Sequence, residues 1–88
     1  MPKFMCSHTL GPGKLSRPML DQFAQAAQSD PQVKGYRSFT NLSEGKVMCV
    51  LEAENQDQIA DWFNRMGMPY DSIDRVEIEG EHGTMQEV

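Results

Sequence analysis

Two kinds of periodicity alternate along this chain, and their order predicts an α+β domain. Lys3 to Thr9 carries Phe4, Met5 and Cys6 in succession, so apolar side chains fall on both faces, as in a central strand. It runs into Leu10-Gly11-Pro12-Gly13, a cluster that turns the chain. Ser16 then caps a helix that tolerates Pro18 in its first turn, and Leu20, Phe23, Ala24 and Ala27 recur at the spacing of one buried helical face. Asp30-Pro31 ends it. Val33 to Thr40 reads as a second strand, Asn41-Leu42-Ser43-Glu44-Gly45 as hairpin chemistry, and Lys46 to Ala53 as a third strand. Asn55 with Gln58 forms a capping pair at the head of a second helix, where Ile59, Trp62, Phe63 and Met66 repeat the apolar stripe until Gly67 closes it. Past Met68-Pro69-Tyr70, the segment Ile73 to Glu79 alternates Val76 and Ile78 with charged residues, the pattern of a half-solvated edge strand. Glu81 to Val88 is polar and predicts a loose tail, which divides the chain into a domain over 1–80 and a tail over 81–88.

The order β-α-β-β-α-β is that of a ferredoxin-like domain, a four-stranded antiparallel or mixed sheet with two helices on one face. In this reading the first and third strands are central neighbours and run parallel. The other face has no cover from the same chain, and the apolar residues on it would form an exposed patch. A homodimer packed sheet against sheet is the expected remedy.

Composition narrows the partners. The 88 residues are enough for one core. A net charge of -5 and a pI near 4.8 disfavour nucleic acid and anionic membranes, and point to a cation or another protein. No window reaches the roughly 18 apolar residues of a membrane span, and the first residues lack a secretory pattern. Two cysteines, one early in a strand and one flanked by apolar residues, suit a reducing compartment, so a cytoplasmic location is expected.

The candidate chemistry lies in Cys6-Ser7-His8 and in Cys49, which sits inside Val47-Met48-Cys49-Val50-Leu51. With strands roughly 4.8 Å apart and alternate residues roughly 7 Å apart, Cys6, His8 and Cys49 can surround one ion if their faces agree. Thiolate and imidazole are ligands for nickel, zinc or copper, and disfavour magnesium or calcium. His82 follows the fourth strand, whose end approaches the start of the first strand, away from His8. It could join a metal site only from a second chain. The plainer alternative makes Cys49 a small core hydrophobe, His8 a satisfied strand-end residue and His82 an exposed one.

Met1-Pro2-Lys3-Phe4, Gly13-Lys14-Leu15-Ser16, Ser38-Phe39-Thr40, Lys46-Val47-Met48-Cys49-Val50, Glu52-Ala53, Gly67-Met68-Pro69 and Asp74-Arg75-Val76 together resemble a family of small bacterial proteins of unknown function, itself similar to a characterised nickel-binding protein. The likeness runs over residues 1 to 80. It implies a dimeric ferredoxin-like fold and nickel binding. Cys49 matches the family pattern best, His8 matches a histidine of the nickel-binding relative, and Cys6 lies outside the pattern.

Two other classes compete with a nickel-like metal-binding protein for sensing, buffering or delivery. One is a small-molecule or catalytic dimeric domain, monooxygenase- or isomerase-like, with His8 as general base and Tyr36, Arg37, Trp62 and Tyr70 around a pocket. The other is a non-catalytic interaction module. No nucleophile elbow, phosphate loop, paired zinc motif or nucleotide fingerprint is present, so metal binding without catalysis is the expectation.

Overall fold

Capping chemistry sets both helices. Ser16 accepts a hydrogen bond from the Met19 amide and Asn55 accepts one from the Gln58 amide, each with an extended backbone at the cap. In the computed structural model, which describes residues 1–88, the elements are β1 (Lys3–Thr9), α1 (Arg17–Ser29), β2 (Lys34–Asn41), β3 (Lys46–Glu52), α2 (Gln56–Met66), β4 (Ser72–Arg75), β5 (Ile78–Glu81) and β6 (Thr84–Glu87). Pro18 lies in the first turn of α1, where its missing amide costs nothing. Gly67 ends α2 in the left-handed region at φ 69°, a conformation that suits glycine.

Four strands form one antiparallel sheet in the order β2-β3-β1-β4. This corrects the expected parallel pairing of the first and third strands. A right-handed crossover through α1 leaves β2 parallel to β1, and the tight β2–β3 hairpin then reverses the chain, so β3 must oppose β1. Phe4, Cys6, Leu51 and Ile73 from the sheet meet Ala27 of α1 and Ile59, Trp62 and Phe63 of α2 in one core. Both helices therefore serve the same face.

The second correction concerns the C-terminus. The predicted edge strand over Ile73 to Glu79 breaks after Arg75, and the expected loose tail is a two-stranded hairpin, so the chain has six strands rather than four. Its loop is His82-Gly83, both with positive φ, 48° and 83°, which is the geometry of a two-residue turn whose twist matches the flanking strands. The polar pattern concealed the hairpin because a His-Gly turn carries a weaker signal than Asn-Gly. Glu79 accepts hydrogen bonds from Lys3, at 2.8 Å, and from the Tyr36 hydroxyl, while Glu81 pairs with Arg37 at 3.9 Å. Lys3 belongs to β1 and Arg37 to β2, so the hairpin spans one end of the sheet between them.

The face away from the helices keeps an apolar patch. Met5, Phe39 and Met48 are exposed, Phe39 by 64 %. Phe39 and Met48 are paired across β2 and β3, and Met5 is paired with Val50 across β1 and β3, so these residues adjoin one another.

Candidate functional site

Register decides which of the candidate residues meet. Cys6 pairs directly with Cys49 across β1 and β3, and directly opposed residues of an antiparallel pair project to the same face. His8, two residues beyond Cys6, falls on that face by the period of the strand. Cys6 and His8 are buried, at 0 % and 2 % exposure, and Cys49 is half-buried. All three face the helices. Ser7, on the opposite face, makes a 2.6 Å hydrogen bond to the hydroxyl of Ser72.

Within that set, Cys49 and His8 form the close pair. Cys49 Sγ lies 3.5 Å from His8 Nε2, and His8 Nδ1 lies 2.8 Å from the Pro69 carbonyl oxygen. A carbonyl only accepts, so Nδ1 carries a hydrogen and Nε2 is the atom turned to sulfur. The edge of Phe63 meets the imidazole with centroids 4.8 Å apart at 85°, which fixes the ring plane. The Cys6 thiol is directed instead to the Phe4 carbonyl at 3.7 Å.

The electrostatics follow from this arrangement. The neighbouring Cys6 thiol, together with the hydrogen bond and charge of His8, outweighs burial and draws the Cys49 pKa down to about 6. The same Cys49 interaction, reinforced by burial, pushes the Cys6 thiol well up. Burial alone would lower the His8 pKa, but the Cys49 sulfur, the Pro69 carbonyl and the Asp71 charge outweigh it and raise it. The pairing thus favours the thiolate on Cys49 and the protonated form of His8. Alkylation of Cys49 by iodoacetamide, followed by peptide mass spectrometry, should rise with pH through a midpoint near 6. A midpoint at the ordinary thiol value of about 8.5 would remove the activated thiolate, and His8→Ala should move the midpoint upward.

A cleft of about 490 Å³ opens between α1 and the sheet, with His8, Cys49, Trp62 and Phe63 among its lining and Leu20 and Phe23 on the α1 side. Here the structure departs from the expected packing of α1. Only Ala27 of that helix is buried, Leu20 and Phe23 are half-buried, and Ala24 is exposed, because the apolar stripe borders the cleft and closes only in part on the core, through Phe23 and Ala26. Of the residues expected around a pocket, Tyr36, Arg37, His8 and Trp62 line it. Tyr70 instead packs on Phe63 with ring centroids 5.5 Å apart.

The donors suit a soft metal ion in kind but not in number. No group of three or more His, Cys, Asp or Glu side chains is arranged to hold one. The expected ring of three is incomplete because Cys6, paired with both Cys49 and Ile73 in the middle of the sheet, is enclosed in the core with its sulfur on a β1 carbonyl. His82 occupies the exposed hairpin turn. What remains is a two-donor half-site that fits. A separation of 3.5 Å is the span between adjacent corners of a tetrahedron with bonds of about 2.3 Å to sulfur and about 2.0 Å to nitrogen. The Pro69 carbonyl supplies the outer hydrogen bond that fixes the tautomer of such a histidine. Sequence reasoning missed that carbonyl, whose only signal is the turn Met68-Pro69-Tyr70 after the helix cap.

These features define a small α+β domain with a thiolate–imidazole pair beside an open cleft. No helix is long and apolar enough to cross a membrane. The chain belongs to the SCO4226-like family, described as nickel-responsive protein SCO4226-like, whose model matches residues 4–76. No curated protein matches the chain, and no solved structure does.

Proposed function

We propose that the protein binds a soft divalent ion, nickel foremost, for sensing, buffering or delivery, with Cys49 and His8 as the primary ligands. The observation that carries this reading is the pair of donors 3.5 Å apart with Nδ1 held on Pro69. The family description supports nickel, and the softness of the donors agrees with it. The remaining coordination positions fall to molecules in the cleft, to Cys6 after rotation of its side chain, or to His82 of a second copy. Two free cysteines support a reducing, cytoplasmic setting.

The reading includes a homodimer through the open sheet face. It is supported by the adjoining exposed Met5, Phe39 and Met48, an apolar area of the kind that marks association. Phe39→Glu is expected to convert the protein to a monomer in light scattering, and an unchanged mass would place the interface elsewhere. Native mass spectrometry with nickel, zinc and copper titrated in turn tests the whole reading. A stoichiometric nickel adduct supports it, and a protein that takes up none of the three ions ends it.

The cleft favours a second reading, a small-molecule site over the same pair. Its apolar lining with a few polar groups is typical of such sites. Metal-free protein stabilised in thermal denaturation by a small organic ligand, with the effect lost in Trp62→Ala, would favour it over the metal.

A further inference from the structure

Cys6 and Cys49 occupy directly paired positions on neighbouring antiparallel strands, with both side chains on one face. Opposed residues of such a pair have Cα atoms about 4.5 or 5.5 Å apart, and a disulfide accepts Cα separations of about 4.4–6.8 Å. The two sulfurs are not equivalent in access. Cys49 borders the cleft, whereas Cys6 is wholly buried one strand away. A small oxidant entering the cleft therefore meets Cys49 first, and the only cysteine that Cys49 can reach within the chain is Cys6. The Cys6 thiol has one weak contact to give up, the 3.7 Å hydrogen bond to Phe4.

We propose that Cys49 and Cys6 form a redox pair, in which a hydroperoxide oxidises Cys49 and Cys6 then closes a cross-strand disulfide. In the first step the Cys49 sulfur, having given up its proton, attacks one peroxide oxygen. An S–O bond forms, the O–O bond breaks, and the leaving oxygen takes a proton to become water or an alcohol. Sulfur loses two electrons and the peroxide gains them, which leaves a sulfenic acid on Cys49. In the second step the Cys6 sulfur attacks the Cys49 sulfur. The S–S bond forms, the S–O bond breaks, and water departs with the Cys6 proton. Formation of the disulfide stands apart from metal binding. Its consequence, that oxidation withdraws Cys49 from an ion and releases it, rests on the metal reading above.

The test treats metal-free wild-type protein with hydrogen peroxide and follows free thiols, intact mass and a non-reducing gel. Loss of both thiols and of the mass of two hydrogen atoms, in a chain that stays uncrosslinked, is the expected result. Cys6→Ala should stop at a sulfenic acid trapped by dimedone, and Cys49→Ser should keep its remaining thiol. Wild-type protein that keeps both thiols, gains sulfinic acid on Cys49 while Cys6 stays free, or crosslinks between chains overturns the proposal. Nickel titration of the two forms separates the claims. If the reduced form binds nickel, the oxidised form should bind it more than about 10-fold more weakly, and equal binding overturns the release. If the reduced form takes no nickel while the disulfide still closes, the metal reading fails and the redox pair stands.

Discussion

Cys49→Ser and His8→Ala should each weaken nickel binding by more than about 100-fold, since even an outer hydrogen bond to a metal ligand is worth about 10–100-fold. Each removes one of the two donors that the register of β1 and β3 brings within 3.5 Å of each other. Cys6→Ala should cost less, because that sulfur is turned to the Phe4 carbonyl. Isothermal titration with the three variants checks this, and a Cys6→Ala loss equal to that of Cys49→Ser would move the centre of the site. The pH dependence has a definite sign. Where the medium is more acid than the raised His8 pKa, binding must displace an Nε2 proton, while Cys49 is already a thiolate above about 6. Affinity should therefore fall by about tenfold per pH unit once the medium is more acid than the His8 pKa, and more steeply below the Cys49 value. Each ion bound between those two values should release one proton.

Phe63→Ala is the substitution expected to damage the fold most, by about 3–5 kcal/mol for a large aromatic removed from a packed core. Domains of this size are stable by about 5–15 kcal/mol, so the loss consumes much of the total. Phe63 is 2 % exposed and touches three rings, the imidazole of His8, Trp62 at 5.5 Å and Tyr70 at 5.5 Å. Its loss should unfold the protein at a much lower urea concentration and free the imidazole from the edge contact that sets its plane. Phe63→Leu, which keeps most of the volume, should recover the greater part of the midpoint. A midpoint in Phe63→Ala within error of wild type would show that the ring is not the centre of this core.

The parts legible in the sequence are those written in local chemistry. Ser16 and Asn55 mark both helix starts, Asn41 to Gly45 marks the central hairpin, and the stripe Ile59, Trp62, Phe63 is buried as its spacing requires. Cys6, His8 and Cys49 were readable as residues of central strands, because strand period and apolar context place them there. The illegible parts depend on contacts between segments distant in the chain. The direction of β3 against β1 follows from counting reversals rather than from composition. The identity of the two donors that meet depends on the Pro69 carbonyl, 61 positions from His8. The cleft was legible only as an alternative, because a stripe of Leu20, Phe23 and Ala24 has the same period whether it is sealed or left open. His82-Gly83 became a turn only through its partner strands, whose residues are too polar to announce themselves.

The unequal seating of the two helices has a mechanical meaning. α2 is rooted along its length by Ile59, Trp62 and Phe63, but α1 buries one side chain, so it is secured chiefly where it begins and ends. Leu15 is buried just ahead of it, and Asp30 binds the amides of Gln32 and Val33 just behind it while reaching Arg65 of α2 at 3.5 Å. A beam clipped at both ends and slack between them passes a push at its middle to its supports. Whatever presses on Leu20 or Phe23 from inside the cleft is thus borne by the buried anchors Leu15, Asp30 and Val33 rather than along the helix itself.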